Sequence, residues 1–126
     1  DIDHFKKVND MYGHQTGDEV LVQIANQLKS LIGTRGICAR WGGEELAVYM
    51  SNLLEDESLK IAGQIVKSIP FVTNPKVTIS AGLVSWTRGS LLEYREIFLQ
   101  ADMALYAAKN NGKNQFFMYK DEVGTK

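Results

Sequence analysis

Two adjacent glycines, Gly42 and Gly43, separate two runs of residues that both have the composition of β-strands. The runs cover residues 36–41 and 45–50 and are rich in apolar, β-branched and aromatic side chains. Glycine reaches the positive φ angles of a tight turn at no steric cost, so the pair favours an antiparallel hairpin. The sequence therefore predicts that the residues directly after the glycines lie at the tip of a hairpin.

Those next residues are two acids, Glu44 and Glu45. Glycine lets a ligand approach the backbone closely, and paired carboxylates beside such a gap are suited to holding a hard cation. A Gly-Gly hairpin with exposed acids also occurs without any chemistry, so the turn alone does not establish a site. A second acidic element at the start of the chain, Asp1-Ile2-Asp3, strengthens the functional interpretation.

The composition is that of one small globular domain. With 126 residues, 44% of them hydrophobic, the chain can build one core but not two, so we expect a single domain over residues 1–126. The 14 basic and 15 acidic residues nearly cancel, which indicates neither a nucleic-acid partner nor a membrane-surface footprint. Cys38 has no second cysteine to pair with, so we predict that it packs as a small buried hydrophobic residue. A single unpaired cysteine also fits a reducing, cytoplasmic compartment.

Hydrophobic periodicity and turn residues predict helices alternating with strands. The helices are expected at 5–12, 18–31, 56–68 and 92–109, and the strands at 36–41, 45–50, 77–84 and 116–119. We expect Asp3 to cap the first helix, residues 13–17 to break it from the second, and Pro70 to follow the end of the third. Gly82 indicates a bulge or close approach. This order predicts an α+β fold with a mixed sheet flanked by helices.

Several side chains are predicted to be structural. We expect Trp41, Leu46, Ile24 and Leu28 to lie in the core, and we assign His14, in its glycine-flanked loop, a structural role.

The first helix offers a site for phosphate oxygens. Its N-terminus leaves free N–H groups at His4, Phe5 and Lys6, and Lys6 and Asn9 share one face. The Asp1 carboxylate could bind a divalent cation that bridges the phosphates. With Glu44 or Glu45 as the second carboxylate, phosphate oxygens and water would complete the octahedral shell that Mg²⁺ prefers.

Five segments, in this order, resemble the GGDEF family of diguanylate cyclases: DIDHFKKVND at 1–10, YGHQTGD at 12–18, RWGGEEL at 40–46, VTISAG at 77–82 and ADMALYAAK at 101–109. The resemblance extends from Asp1 to about Phe117. It implies a nucleotide-cyclase, palm-like fold with a largely antiparallel central sheet. It also implies that the family's first helix and first strand are missing from this chain, which we therefore expect to be a fragment of a longer protein.

The resemblance further implies the condensation of two GTP molecules into cyclic di-GMP, with two Mg²⁺ or Mn²⁺ ions per active site. Asp1 matches the metal-binding aspartate, and the Ile2 carbonyl is a further ligand. Glu44 matches the partner carboxylate that binds metal and accepts the 3′-hydroxyl proton, and Glu45 a ligand of the second cation. Lys6 is implied to stabilise charge that develops on the phosphates.

Asn9 and Asp18 resemble the family's guanine-reading pair. A carboxylate can accept both the N1–H and the exocyclic amino group of guanine, and an amide can both donate and accept at the base edge. Without the resemblance, Asn9 would be a helix-end residue and Asp18 a helix cap. An aspartate at position 18, where a branch making mixed GMP–AMP products has a small residue, favours GTP in both roles.

The resemblance places Gly42 and Gly43 beside the α-phosphate, and Lys109 and Lys113 beside the β- and γ-phosphates. Lys113 stands where the family usually has arginine, which reduces a bidentate grip to a point charge. The alternative is that both lysines simply complement a helix C-terminus.

Two departures from the family pattern stand out. Leu46 replaces the commoner phenylalanine, a tolerable apolar exchange. Residues 33–36, Gly-Thr-Arg-Gly, stand where many members carry an Arg-x-x-Asp motif for product inhibition, so we predict no inhibition of that type.

The interpretation favoured by the sequence is an active catalytic domain that binds GTP and works as a homodimer, since each protomer can hold one GTP. We expect an N-terminal sensory or regulatory domain in the parent protein, and membrane tethering of that parent stays open. One alternative is a catalytically silent domain that binds GTP and regulates a neighbour. A second alternative is a domain for protein interaction alone.

Overall fold

The computed structural model describes residues 1–87, 89 and 91–120. Within them, four helices and two pairs of strands give a mixed α+β fold, as predicted. The elements are α1 (Phe5–Tyr12), α2 (His14–Ile32), a 3₁₀ turn (Gly33–Arg35), β1 (Gly36–Gly42), β2 (Glu45–Met50), α3 (Glu55–Val72), β3 (Ala81–Leu83), α4 (Tyr94–Asn110) and β4 (Phe116–Met118).

Helices α2 and α3 run longer than the local sequence signals indicated. Helix α2 begins at His14 instead of residue 18, because only Gly13, at φ 93°, interrupts the chain after α1. Helix α3 continues through Pro70 to Val72, so the prediction that Pro70 follows its end is wrong. The proline lies in the last turn, where the helix loses a single backbone bond, and the Thr73 hydroxyl donates to the Ile69 carbonyl at 2.9 Å.

The predicted hairpin is present, whereas the other strand pair is parallel. β1 and β2 pair antiparallel, with Ile37 opposite Tyr49 and Arg40 opposite Leu46. β3 pairs with β4 in parallel, with Gly82 opposite Phe117. β3 is also shorter than the predicted strand over 77–84.

Residues 1–3 lie between the two strand pairs and connect them. Asp1 and Ser80 exchange two N–H···O bonds of 3.0 Å each, and the Asp3 N–H donates to the Thr78 carbonyl at 3.0 Å. On the other side, the Ile2 N–H reaches the carbonyl of Glu44 at 3.4 Å. The acidic start of the chain and the hairpin tip are therefore held together by the backbone.

The core forms where α1, α2 and α3 pack against the strand segments. Its buried members include Ile24 and Leu28, as predicted. Leu46 and Cys38 are half-buried and pack against this cluster, and burial raises the pKa of the Cys38 thiol. The cysteine packs against the core as predicted, but it is only partly buried. The full core set comprises Ile2, Phe5, Val8, Val20, Leu21, Ile24, Leu28, Ile32, Ile61, Ile65, Val66, Ile69, Val77 and Ile79.

Trp41 is not in the core, contrary to the prediction. It is 61% exposed, and its ring stacks on Phe98 of α4 with centroids 4.6 Å apart. Phe98 in turn contacts Tyr94 at 5.5 Å, so the end of β1 is covered by an aromatic cluster at the surface. An aromatic residue at the end of a strand can shield part of its apolar surface from water by stacking on another ring, without entering the interior.

Gly82 permits a close approach between β3 and α4, as the sequence indicated. A Cβ atom at this position would collide with the Ala101 carbonyl oxygen and the Leu105 nitrogen. The helix backbone thus lies directly against the strand. Across the described part of the chain, no helix combines the length and apolar character needed to cross a membrane.

Candidate functional site

A cleft of about 630 Å³ opens between α1, the start of α2 and the tip of the β1–β2 hairpin. Its size falls in the range of small-molecule sites. The side chains and backbone that line it come from Phe5, Asn9, His14, Asp18, Arg40, Trp41, Gly42, Gly43, Glu44 and Glu45. The cleft thus joins residues that are 40 positions apart in the sequence.

One end of the cleft carries an amide and a carboxylate. Asn9 projects from α1 and Asp18 from α2, and Gly13 alone separates the two helices. Neither side chain is hydrogen-bonded to another described residue. Their donors and acceptors are therefore available to a ligand.

The other end of the cleft is the hairpin turn. Gly42 belongs to β1 and pairs with Glu45, and only Gly43 takes a positive φ, of 36°. A Cβ added at either glycine would meet no protein atom within 4 Å. Packing does not explain the Gly-Gly pair, and the space beside it is open to a ligand.

Arg40 holds the turn and was missed by sequence reasoning. Its Nε and Nη2 atoms donate to the Gly43 carbonyl at 3.0 and 2.7 Å. A bidentate guanidinium contact fixes the carbonyl that precedes the two glutamates. In the sequence, the only indication of this role is an arginine two residues before a Gly-Gly turn, which is weak evidence when taken alone.

Asp1 places a buried carboxylate beside the turn. Its side chain is 4% exposed, its Oδ2 forms an ion pair with Lys109 Nζ, and its Oδ1 has no hydrogen-bond partner among the described residues. The neighbouring Ile2 N–H donates to the Glu44 carbonyl at 3.4 Å, so the start of the chain lies against the segment that carries the two glutamates.

The residues present fit a divalent cation. A buried carboxylate oxygen without a partner is costly unless something satisfies it, and a cation would do so. Over the described residues, no three acidic, histidine or cysteine side chains form a ready metal cluster. Mg²⁺ does not require one, since it is commonly held by one or two carboxylates together with water and substrate phosphates.

The predicted cationic residues lie in different surroundings. Lys109, in the last turn of α4, pairs with Asp1. Lys113 is half-buried at φ 63° and does not line the cleft. Lys6 is exposed on α1, also outside the lining.

The start of α1 differs from the prediction at its cap. His4, in the left-handed region at φ 57°, occupies the N-cap position and makes no side-chain cap, so the prediction of Asp3 there is wrong. The N–H groups of His4, Phe5 and Lys6 find no acceptor among the residues that the structure describes. They remain free for an anion.

Asp3 instead joins three segments. Its carboxylate accepts hydrogen bonds from Thr78 Oγ1 at 2.7 Å, Ser80 Oγ at 2.6 Å and the Asn114 N–H at 3.0 Å. These long-range partners lie more than 70 residues away, beyond the reach of any local pattern. Asp3 is therefore structural, although the Asp1-Ile2-Asp3 motif also suits a metal site.

Comparisons with known proteins identify relatives of this chain. Residues 1–115 match the family described as diguanylate cyclase, GGDEF domain. A Bacillus subtilis relative, the uncharacterized protein YtrP, is 46% identical over 119 residues. A Vibrio cholerae relative named diguanylate cyclase is 36% identical over 127 residues. The match covers 94% of this chain and 21% of the first relative, and 98% of this chain and 39% of the second.

Solved structures show the same fold. The active GGEEF domain of a diguanylate cyclase from Vibrio cholerae has a TM-score of 0.87 at 33% identity, covering 97% of this chain and 80% of that domain. The GGDEF domain of DgcB from Caulobacter crescentus, solved in complex with c-di-GMP, has a TM-score of 0.86 at 28% identity, covering 96% of this chain and 75% of its own. The chain spans less than half the length of these two curated relatives.

Proposed function

Because the chain belongs to the GGDEF family of diguanylate cyclases, we propose that residues 1–126 form a single catalytic domain that condenses two GTP molecules into cyclic di-GMP and two pyrophosphates. One observation carries the proposal. The same cleft is lined by the Asn9–Asp18 pair at one end and by the Gly42–Glu45 turn at the other. A nucleotide needs this arrangement, with base recognition and phosphate chemistry at opposite ends of one site.

The guanine base would lie at the α1–α2 end. Asp18 accepts hydrogen bonds from both N1–H and the exocyclic amino group, a pair of donors that adenine does not present. Asn9 donates and accepts at the base edge. A site with polar groups of this kind rejects a base that would leave them unpaired.

The triphosphate would lie along the turn. Gly42 and Gly43 let the backbone approach the α-phosphate, and the free N–H groups of His4, Phe5 and Lys6 can bind phosphate oxygens. The Lys6 side chain balances charge on these oxygens. Lys109 and Lys113 supply further positive charge toward the β- and γ-phosphates.

Two Mg²⁺ or Mn²⁺ ions would be held by Asp1, the Ile2 carbonyl, Glu44 and Glu45. When bound, such ions neutralise the triphosphate and stabilise the oxygens of an in-line displacement. The partnerless Oδ1 of Asp1 supports this assignment.

Glu44 acts at the reacting hydroxyl. It accepts the proton of the 3′-hydroxyl as that oxygen forms a bond to the α-phosphorus of the other GTP, and the bond to pyrophosphate breaks. Two such displacements close the ring of the dinucleotide. Because one cleft holds one GTP, two protomers must face each other to bring each 3′-hydroxyl to the opposite α-phosphate.

Product inhibition through an Arg-x-x-Asp motif is not expected in this domain. Arg35 is the only cationic side chain among residues 33–36. Its Nε and Nη2 atoms donate to the carbonyls of Ile32 and Leu31 at the end of α2, at 3.2 and 2.6 Å. Titration with cyclic di-GMP tests this, and tight binding that is lost on Arg35→Ala would contradict it.

The proposal is tested by a turnover assay on the parent protein with GTP and Mg²⁺, in which the product is resolved by mass. We expect cyclic di-GMP from the wild type and none from Glu44→Gln, which keeps the size of the side chain and removes its charge. Saturable GTP binding without product would instead identify a silent regulatory domain. Absence of GTP binding would leave a role in protein interaction alone.

A further inference from the structure

Gly17 stands at a position where glycine is unfavourable unless something requires it. It is buried in the first part of α2, with no unusual φ angle. Glycine inside a helix loses more conformational freedom on folding than alanine does. A glycine retained there therefore indicates a close approach by a neighbour.

The neighbour is the amide of Asn9. A Cβ atom built at Gly17 would collide with Asn9 Oδ1, and it would lie 3.1 Å from Asn9 Cγ and 3.2 Å from Phe5 Cζ. Phe5 and Asn9 are four residues apart and share one face of α1. The bare backbone of Gly17 is thus the surface against which both side chains rest.

A methyl group at this position would displace the amide before anything else. Phe5 is buried in the core and has little room to move. Asn9 is half-buried, faces the open cleft and has no hydrogen bond to another described residue that would hold it in place. Rotation about its two side-chain bonds removes the clash with the amide, whereas the 3.2 Å contact with Phe5 Cζ requires a shift of a few tenths of an ångström.

We infer that Gly17 is a positioning residue for base recognition, which keeps the Asn9 amide at a fixed distance from Asp18. The inference rests on the proposed guanine-binding role of Asn9. Since Gly17 directly precedes Asp18, the amide contacts the same helical turn that carries the carboxylate. The contact between the Asn9 amide and the Gly17 backbone thereby fixes the relative position of the two groups that recognise the base.

The test is a double-mutant cycle on the full-length parent protein. GTP and ATP affinities are measured by calorimetry for the wild type, Gly17→Ala, Asn9→Ala and the double variant, each with its melting temperature. Gly63→Ala is the matched control, because it places the same methyl group in another helix at an ordinary 3.7 Å from Phe116 Cε1.

We expect Gly17→Ala to weaken GTP binding roughly tenfold, as the loss of one or two hydrogen bonds would. The preference for GTP over ATP should fall with it, and any change in melting temperature that comes from the contact with Phe5 should be the same in the Asn9→Ala background. In the Asn9→Ala background, the same change should have no further effect. Gly63→Ala should bind GTP like the wild type.

Two results would overturn the inference and leave the proposed function standing. One is GTP affinity unchanged by Gly17→Ala. The other is an equal loss with and without the Asn9 amide, which would mean that Gly17 acts through Phe5 or helix packing. A wild-type protein that binds no GTP would contradict the proposed function, and this inference with it.

Discussion

Asp3 is a buried acid, 4% exposed, whose charge is satisfied entirely from within the chain. Three donors from distant segments converge on its two oxygens: the hydroxyls of Thr78 and Ser80 and the backbone N–H of Asn114. Hydrogen bonds to a charged group are stronger than neutral ones, and they are costly to leave unmade. This one side chain therefore fixes residues 1–3 against the segments that precede β3 and β4.

Replacement of Asp3 by alanine should lower the free energy of unfolding by about 2–5 kcal/mol, because three polar groups at or near the interior lose their acceptor. Urea denaturation followed by circular dichroism measures the change. Asp10→Ala, at an exposed acid on α1, should leave the midpoint nearly unchanged. A midpoint for Asp3→Ala equal to that of the control would show that Asp3 does not hold these segments.

At the scale of elements, the close packing of β3 against α4 depends on the absence of a side chain at Gly82. Gly82 faces backbone atoms of Ala101 and Leu105, which cannot rotate away as a side chain can. Gly82→Ala should thus separate strand and helix and lower the free energy of unfolding by about 1–3 kcal/mol. Thermal denaturation is the measurement, with Gly63→Ala as the comparison. A melting temperature for Gly82→Ala at or above that of Gly63→Ala would contradict the close packing.

Local patterns predicted the elements better than their ends. The helix Phe5–Tyr12 and the hairpin follow from periodicity and glycine placement, which act within a few residues. The start of α2 and the end of α3 could not be read locally. Gly17 looked like part of a break, but it serves a contact between helices, and Pro70 fell where a helix tolerates it.

The same division holds for the residues in and around the candidate site. The Gly-Gly-Glu-Glu turn was predictable, since its chemistry and geometry lie in consecutive residues. The contacts of Asp3 and the exposure of Trp41 were not, because both depend on partners far along the chain, such as Ser80 and Phe98.

At the scale of the whole molecule, the proposed reaction needs two copies of the cleft. If each protomer holds one GTP, the rate per protein should fall as the protein is diluted below its dimer dissociation constant, since half-sites cannot react alone. Initial rates measured over a dilution series, beside sedimentation at the same concentrations, test this. A specific activity that stays constant while the protein dissociates would rule out catalysis between protomers.

The ion pair between Asp1 and Lys109 gives the domain an internal counterion. A carboxylate buried among other acids would ordinarily make folding depend on bound metal, but here a lysine neutralises it. Chelation with EDTA should therefore leave the melting temperature almost unchanged in the wild type and lower it in Lys109→Met. Equal sensitivity of the two proteins to EDTA would contradict this. Binding of a metal ion at Asp1 then replaces the lysine ammonium by another cation, and the domain stays folded in the absence of metal and substrate.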